Sequence, residues 1–142
     1  MTSNELQNLV KIRKLKEEPG SQIEFDSLVL SGKRRLEDSM NPTLSFDSRF
    51  DLAYNATHSL SLAALRWYGY RADNRYIVFQ VLPHTLGLPP ETWRLLTEAH
   101  RRRNQSEYDG VLLEDERFLE VLIKSIQDIL KGVEKLGPVP VH

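Results

Sequence analysis

The apolar residues of this 142-residue chain recur at helical spacing over almost its whole length. The clearest case lies near the C-terminus, where Phe118, Leu122, Ile126 and Ile129 fall on one face of a helix. No segment alternates apolar and polar residues convincingly, as a half-buried strand does. The sequence therefore predicts an all-α protein.

Proline-containing pairs divide the helical pattern into segments joined by short connections. The strongest breaks are Pro19-Gly20, Asn41-Pro42 and Gly137-Pro138. Six helices are predicted, at about residues 4–18, 21–41, 45–69, 74–86, 91–108 and 114–136. Long amphipathic helices with short connections favour an antiparallel bundle of four to six helices.

Two helix starts carry recognisable local signals. Ser21 is a good N-cap, and Glu24 follows it three residues later, which is the spacing of a capping box. Pro90 follows a loop that contains Gly87 and falls at a first helical position, where proline is tolerated. These signals predict the starts of the second and fifth helices.

The chain is long enough for one domain with its own core. We predict a single helical domain over residues 1–142. Within it, residues 1–18 form an appended N-terminal helix, because Pro19-Gly20 detaches it, and residues 137–142 form a frayed tail.

Composition limits the chemistry that the chain can carry. The formal net charge is −1, so any anion binding must be local. The absence of cysteine excludes disulfides, thiolate zinc sites and thiol nucleophiles. The histidines (His58, His84, His100 and His142) show no metal-ligand spacing, so we expect no metal and no cofactor. No run approaches the roughly 20 apolar residues of a membrane span, and we expect a cytoplasmic protein without membrane contact.

The fifth predicted helix carries polar residues on the continuation of its apolar face. Trp93, Leu96 and Ala99 mark the inward side. The residues that follow on or beside that side are His100, Arg103, Asn104, Glu107 and, at its margin, Tyr108. Because a buried charge without a partner is costly, these groups either pair with other residues or line a cleft.

Arg103 is the strongest candidate in this helix. An inward arginine is a planar, permanently charged binder of phosphate or carboxylate. Arg101 and Arg102 point more outward, and the alternative for all three is a helix end whose cations suit its dipole. Tyr108 and His100 have a similar alternative, as half-buried packing residues at the rim of the core.

The third predicted helix offers a second row of candidates. Asp51, Asn55 and His58 recur at the spacing of one helix face, which continues with Leu62 and Leu65. The polar part of this row either faces the arginine helix or forms an ordinary solvent-exposed face.

Two stretches resemble the HEPN domain superfamily. The first runs from Tyr54 through His58 and an alanine-rich turn to Gly69, like the long helix of these domains. The second, Arg102 to Tyr108, resembles the Arg-Asn-x-x-acidic-Tyr ending of one large branch. The resemblance covers roughly residues 25–136.

The resemblance implies a small all-α bundle that pairs into a homodimer. Many HEPN proteins are metal-independent RNases, often toxins of toxin–antitoxin or phage-defence modules. Others bind nucleotides or RNA without cutting, and several work beside a nucleotidyltransferase. Arg103 matches the arginine of the active members, whereas Tyr108 stands where they have histidine. Since a phenol with a pKa of about 10 is a poor base at neutral pH, the resemblance supports anion binding better than cleavage.

The leading hypothesis is a HEPN-like module that binds a nucleotide or RNA phosphate at a cleft between two copies. Arg103 of each copy reaches the phosphate, Asn104 orients the arginine or the ligand, and Tyr108 closes the site. Asp51, Asn55 and His58 form the facing wall, and a nucleotidyltransferase or antitoxin is the expected partner.

Two alternatives stay open. In one, the protein is a metal-independent RNase toxin in which Tyr108 or His100 acts as the base. In the other, it is a structural or partner-binding bundle in which Arg103 is neutralised by Glu107 or Asp51.

Overall fold

A computed structural model describes residues 4–141, and the parts of the predictions that fall on residues 1–3 and 142 lie outside it. Over this range the chain forms seven α-helices and one pair of two-residue strands, so the all-α prediction is confirmed. The elements are α1 (Asn4–Lys11), β1 (Lys16–Glu17), α2 (Gln22–Ser39), α3 (Phe46–Trp67), β2 (Tyr70–Arg71), α4 (Arg75–Gln80), α5 (Leu82–Thr85), α6 (Pro90–Asp109) and α7 (Glu116–Glu134).

The long helices α2 and α3 form an antiparallel pair. Near the connection between them, Arg49 Nε donates to the Ser39 carbonyl at 2.8 Å. At the opposite end of the pair, Arg66 Nε donates to Glu24 Oε1 at 2.6 Å. Contacts that join the end of one helix to the start of the other at both extremes require opposite chain directions.

The main core lies between α3 and the helices around it. Small residues of α3 are completely buried and let its neighbours approach closely. They are Ala53, Ala56, Ala63 and Ala64. The apolar face of α7 fills the other side with Leu119, Leu122, Ile126 and Ile129, all fully buried.

A second, smaller core lies at the N-terminal side of the bundle. Leu6 of α1 is fully buried in it, against residues that include Leu65 and Val78. The appended helix therefore packs on the rest of the chain through its own apolar residues.

The predicted helical extent of residues 4–18 is wrong. Helix α1 ends at Lys11, and the chain turns at Arg13, whose φ is 63°. β1 then pairs antiparallel with β2, Lys16 opposite Arg71 and Glu17 opposite Tyr70. Two residues are too few to show the alternation by which a strand is recognised in a sequence.

Two other local predictions need correction. The helix predicted at residues 74–86 is split into α4 and α5 near Val81, because Pro83 has no N–H to continue the helical hydrogen bonds. The tail is attached instead of frayed at residues 137–139, since Val139 N donates to Gln22 Oε1 at 2.7 Å and Trp67 Nε1 donates to the Gly137 carbonyl at 3.1 Å.

None of the helices within residues 4–141 is long and apolar enough to span a membrane.

Candidate functional site

The candidate site is built around Tyr54, a fully buried residue in the middle of α3. The His100 ring from α6 stacks on the Tyr54 ring at 5.6 Å, and its Nδ1 lies 2.5 Å from the Tyr54 hydroxyl. Arg75 Nη1, from the first turn of α4, donates to the same hydroxyl at 2.9 Å. Three helices therefore meet at one phenol oxygen.

Two guanidinium groups lie beside the Tyr54 ring. Arg103 Cζ is 5.0 Å from the ring centroid, and Arg75 Cζ is 5.6 Å from it. Both distances are within the range of cation–π attraction. We call the group of Tyr54, Arg75, His100 and Arg103 the Tyr54 cluster.

Arg103 has two carboxylate neighbours. Its Nη1 lies 3.1 Å from Glu107 Oε1, and its Nε lies 3.5 Å from Asp51 Oδ1. The Nε atom is buried and makes no hydrogen bond with any residue from 4 to 141. The Arg103 side chain is 28% exposed, whereas both carboxylates are more than half exposed. Such solvent-exposed partners contribute little binding energy and can move away.

A small hollow of about 120 Å³ opens beside Arg103 between α3, α6 and the α6–α7 loop. Its lining residues are Asp47, Phe50, Asp51, Arg103, Ser106, Glu107 and Leu112. Arg103 therefore lines a hollow, and it pairs with Glu107 and Asp51, the two carboxylates expected if its role is structural.

Arg75 differs from Arg103 because no carboxylate lies within 4 Å of it in the part of the chain that the structure describes. Its hydrogen bond goes to the neutral Tyr54 hydroxyl. Arg75 is half-buried at the start of α4. It therefore gives the Tyr54 cluster a positive charge that is not ion-paired with a carboxylate in the described part of the chain.

Two histidines near Arg75 are held in the neutral form. Burial, the charge of Arg75 and the neighbouring His100 lower the pKa of His58 to about 4. Burial and the charges of Arg75 and Arg103 also lower the pKa of His100, and Glu107 partly opposes them. Both imidazoles are consequently uncharged at pH 7.

The structure brings several of the predicted site residues close together. Arg103 and Asp51 form an ion pair. His58 and His100 pack edge-on against the same Phe79 ring, at 6.5 Å and 6.4 Å.

The amide candidates have different neighbours. Asn104 Nδ2 lies 3.2 Å from His100 Nε2, so Asn104 borders the cluster. Asn55 Nδ2 instead donates to the backbone carbonyl of Asp51 at 2.9 Å, one turn earlier on α3.

Tyr108 is separate from the other candidates. It is 92% exposed, and its hydroxyl makes no hydrogen bond within residues 4–141. The two other arginines of the run are also used elsewhere. Arg101 Nη2 pairs with Glu98 at 2.7 Å. Arg102 forms ion pairs with both Glu98 and Asp115.

Sequence reasoning missed Arg75 and the role of Tyr54. Arg75 lies in a six-residue helix outside both HEPN-like stretches. In the sequence, Tyr54 is distinguished only as the aromatic residue that begins the HEPN-like stretch. Their proximity to His100 depends on the packing of three helices, which helical periodicity does not specify.

No protein-family model, curated protein or solved structure matches the chain, so its relationship to HEPN domains stays a prediction.

Proposed function

We propose that this protein is a HEPN-like helical module that binds a phosphate group of a nucleotide or RNA at the Tyr54 cluster. The observation that carries the proposal is Arg75, a half-buried guanidinium whose described neighbours include no carboxylate. A partly desolvated cation without a counter-ion is unfavourable, and a bound anion removes this cost. The planar guanidinium also suits the two-pronged geometry of a phosphate.

Arg103 supports the proposal as a second cation on the same ring. Its partners Asp51 and Glu107 are exposed and can be displaced, so Arg103 becomes available when a stronger anion arrives. Once Asp51 and Glu107 are displaced, the two guanidinium groups beside the buried Tyr54 ring form a local positive region in a chain of nearly neutral net charge.

Binding without cleavage is the form of the function that we propose. Tyr108, one candidate base, is 92% exposed and makes no hydrogen bond within residues 4–141, and the other, His100, has its Nδ1 engaged with the Tyr54 hydroxyl at 2.5 Å. A general base has to lie within reach of the group that it deprotonates. The homodimer and a nucleotidyltransferase or antitoxin partner stay predictions of the resemblance.

The ion pairs of Arg103 favour one other candidate, a structural bundle in which Arg103 is merely neutralised. The two candidates differ in what Arg75 does. A structural role for the cluster requires only the hydrogen bond from Arg75 to Tyr54, whereas phosphate binding also requires the charge of Arg75.

Fluorescence anisotropy with a labelled single-stranded RNA oligonucleotide, and competition by ATP, tests the proposal at low ionic strength. Arg75→Gln and Arg103→Gln are each expected to weaken binding at least tenfold, because a hydrogen bond to a charged group contributes about 1.5–3 kcal/mol. The matched control is Lys124→Gln, an exposed cation on α7 remote in sequence from the cluster, which is expected to change affinity less than twofold.

Thermal unfolding followed by circular dichroism establishes that each variant is folded. Equal affinity of all four proteins, or no binding of RNA or ATP by the wild type, contradicts the proposal and favours the structural bundle. Loss of intact RNA during the assay supports the nuclease alternative instead.

A further inference from the structure

The hydroxyl of Tyr54 has two hydrogen-bond partners with different capacities. Arg75 Nη1 lies 2.9 Å away and can only donate, because a guanidinium has no acceptor. The Tyr54 oxygen therefore accepts from Arg75. Its own proton then goes to the second partner, His100 Nδ1, which lies 2.5 Å away.

This direction of donation decides where the proton of His100 resides. A neutral imidazole carries one N–H, and its other nitrogen is an acceptor. Because Nδ1 accepts from Tyr54, the hydrogen must be on Nε2. The Asn104 amide, 3.2 Å from Nε2, then presents its carbonyl oxygen to that N–H, which a half-turn of the carboxamide allows.

The opposite tautomer leaves a buried group without a partner. If Nδ1 carried the hydrogen and donated to Tyr54, the Tyr54 oxygen would accept from both Arg75 and His100. The phenolic proton would then have no acceptor among the residues that the structure describes. Tyr54 is fully buried, and an unsatisfied buried donor is strongly disfavoured.

We propose that Tyr54 is a positioning residue that fixes neutral His100 as its Nε2–H tautomer, so that His100 donates a hydrogen bond to the same phosphate that Arg75 binds. The inference rests on the proposed function. Arg75 Nη1 and His100 Nδ1 both contact the Tyr54 oxygen, so the two side chains are neighbours in the Tyr54 cluster. Asn104, on the other side of the imidazole, is exposed and can give up its place at Nε2 to that phosphate.

The two cations beside His100 also favour its neutral form. Burial lowers the pKa of His100, and the charges of Arg75 from α4 and Arg103 from α6 lower it further. The charge of Glu107 from α6 raises the pKa of His100 and partly opposes this effect. The Tyr54 and His58 side chains lie near His100 on the α3 side. A neutral ring with a fixed N–H can donate without first taking up a proton.

The test uses long-range ¹H–¹⁵N correlation spectra of the histidine rings in the full chain at pH 7. His100→Gln assigns the resonances. The expected wild-type pattern is an unprotonated Nδ1 and a protonated Nε2 at His100. Tyr54→Phe, which keeps the buried ring, is expected to give a mixture of tautomers. A wild-type spectrum with hydrogen on Nδ1, or an unchanged spectrum in Tyr54→Phe, overturns the proposal.

Affinity for the labelled RNA oligonucleotide gives the second readout. Tyr54→Phe is expected to weaken binding severalfold, and the control Tyr68→Phe, outside the cluster, is expected to bind like the wild type. Unchanged binding by Tyr54→Phe overturns the role of His100 as a donor. A wrong tautomer with normal RNA binding removes this inference alone, whereas a wild type that binds neither RNA nor ATP removes the proposed function as well.

Discussion

Arg66 Nε lies 2.6 Å from Glu24 Oε1, and this ion pair joins the end of α3 to the first turn of α2. The capping box predicted at Ser21 is half formed, because Ser21 Oγ accepts from Glu24 N at 3.2 Å. The Glu24 carboxylate binds Arg66 and Arg71 instead of returning to the cap. Burial raises the pKa of Glu24, but the hydrogen bonds and charges of both arginines outweigh it and lower the pKa.

Removal of the Arg66 guanidinium is expected to destabilise the fold strongly. Arg66 is 3% exposed, and it also donates to the backbone carbonyls of Glu18, Pro19 and Tyr70. Arg66→Met leaves the three carbonyls without this donor and removes one of the two cations that Glu24 binds, at a cost of about 3–5 kcal/mol, because each unsatisfied buried acceptor costs about 1–3 kcal/mol. Urea unfolding measures the loss. The control Arg71→Met, whose side chain is one-third exposed, is expected to lose about 1 kcal/mol, and equal losses contradict the argument.

Two helical glycines are expected to respond oppositely to alanine. A Cβ at Gly32 of α2 would lie 2.6 Å from Leu60 Cγ and Cδ2, in the fully buried interior. Overpacking there is expected to cost about 1–3 kcal/mol, more than the helix propensity gained. A Cβ at Gly132 of α7 meets Leu86 at 3.4 Å, an ordinary contact, so Gly132→Ala is expected to stabilise by about 0.5–1 kcal/mol. Thermal unfolding compares the two, and stabilisation by Gly32→Ala contradicts the close packing.

Acid is expected to weaken the fold through His58. Its folded-state pKa of about 4 lies below the ordinary value of 6.5, so only the unfolded chain takes up a proton as the pH falls from 6.5 towards 4. The free energy of unfolding is expected to decrease by about 1–2 kcal/mol between pH 6.5 and 5 from this residue. Urea unfolding at both pH values checks this. His58→Gln is expected to reduce this pH dependence of the free energy of unfolding, whereas the control His84→Gln, at an exposed position, is expected to retain it. The same pH dependence in the wild type and both variants excludes His58 as the cause.

Arg75→Gln is expected to raise the pKa of both His58 and His100, because the charge of Arg75 lowers each of them. The pKa of His58 is expected to stay below its ordinary value, since burial is the larger cause and is retained. NMR titration of the ring resonances measures both values. If Lys124→Gln shifts them as much as Arg75→Gln does, the effect belongs to net charge and not to the local contact.

Local signals allowed much of the helical framework to be predicted. Ser21 caps α2 because its hydroxyl accepts a hydrogen bond from Glu24 N. Pro90 begins α6, at a position where the missing N–H of proline is tolerated. The side of α6 on which Arg103 lies could be predicted from helical periodicity, because the buried residues Leu96 and Ala99 mark the inward side. These inferences concern residues within a few turns of one another.

Contacts between distant segments could not be predicted in this way. Arg75 reaches Tyr54 because α4 packs against α3 and α6, and nothing in the residues of α4 specifies that packing. Tyr108 was grouped with Arg103 by sequence spacing, yet α6 extends past the core, and its last turn is exposed. The pairing of β1 with β2 likewise joins residues more than fifty positions apart.

Helix α3 serves three purposes at once, since Leu60 lies in the main core, Leu65 in the second core and Tyr54 at the cluster. A slide of this helix by one residue would misplace all three sets of side chains together. Few sequences can meet three such demands simultaneously. A library that randomises the inward positions of α3 should therefore return far fewer folded members than an equally diverse library in α1.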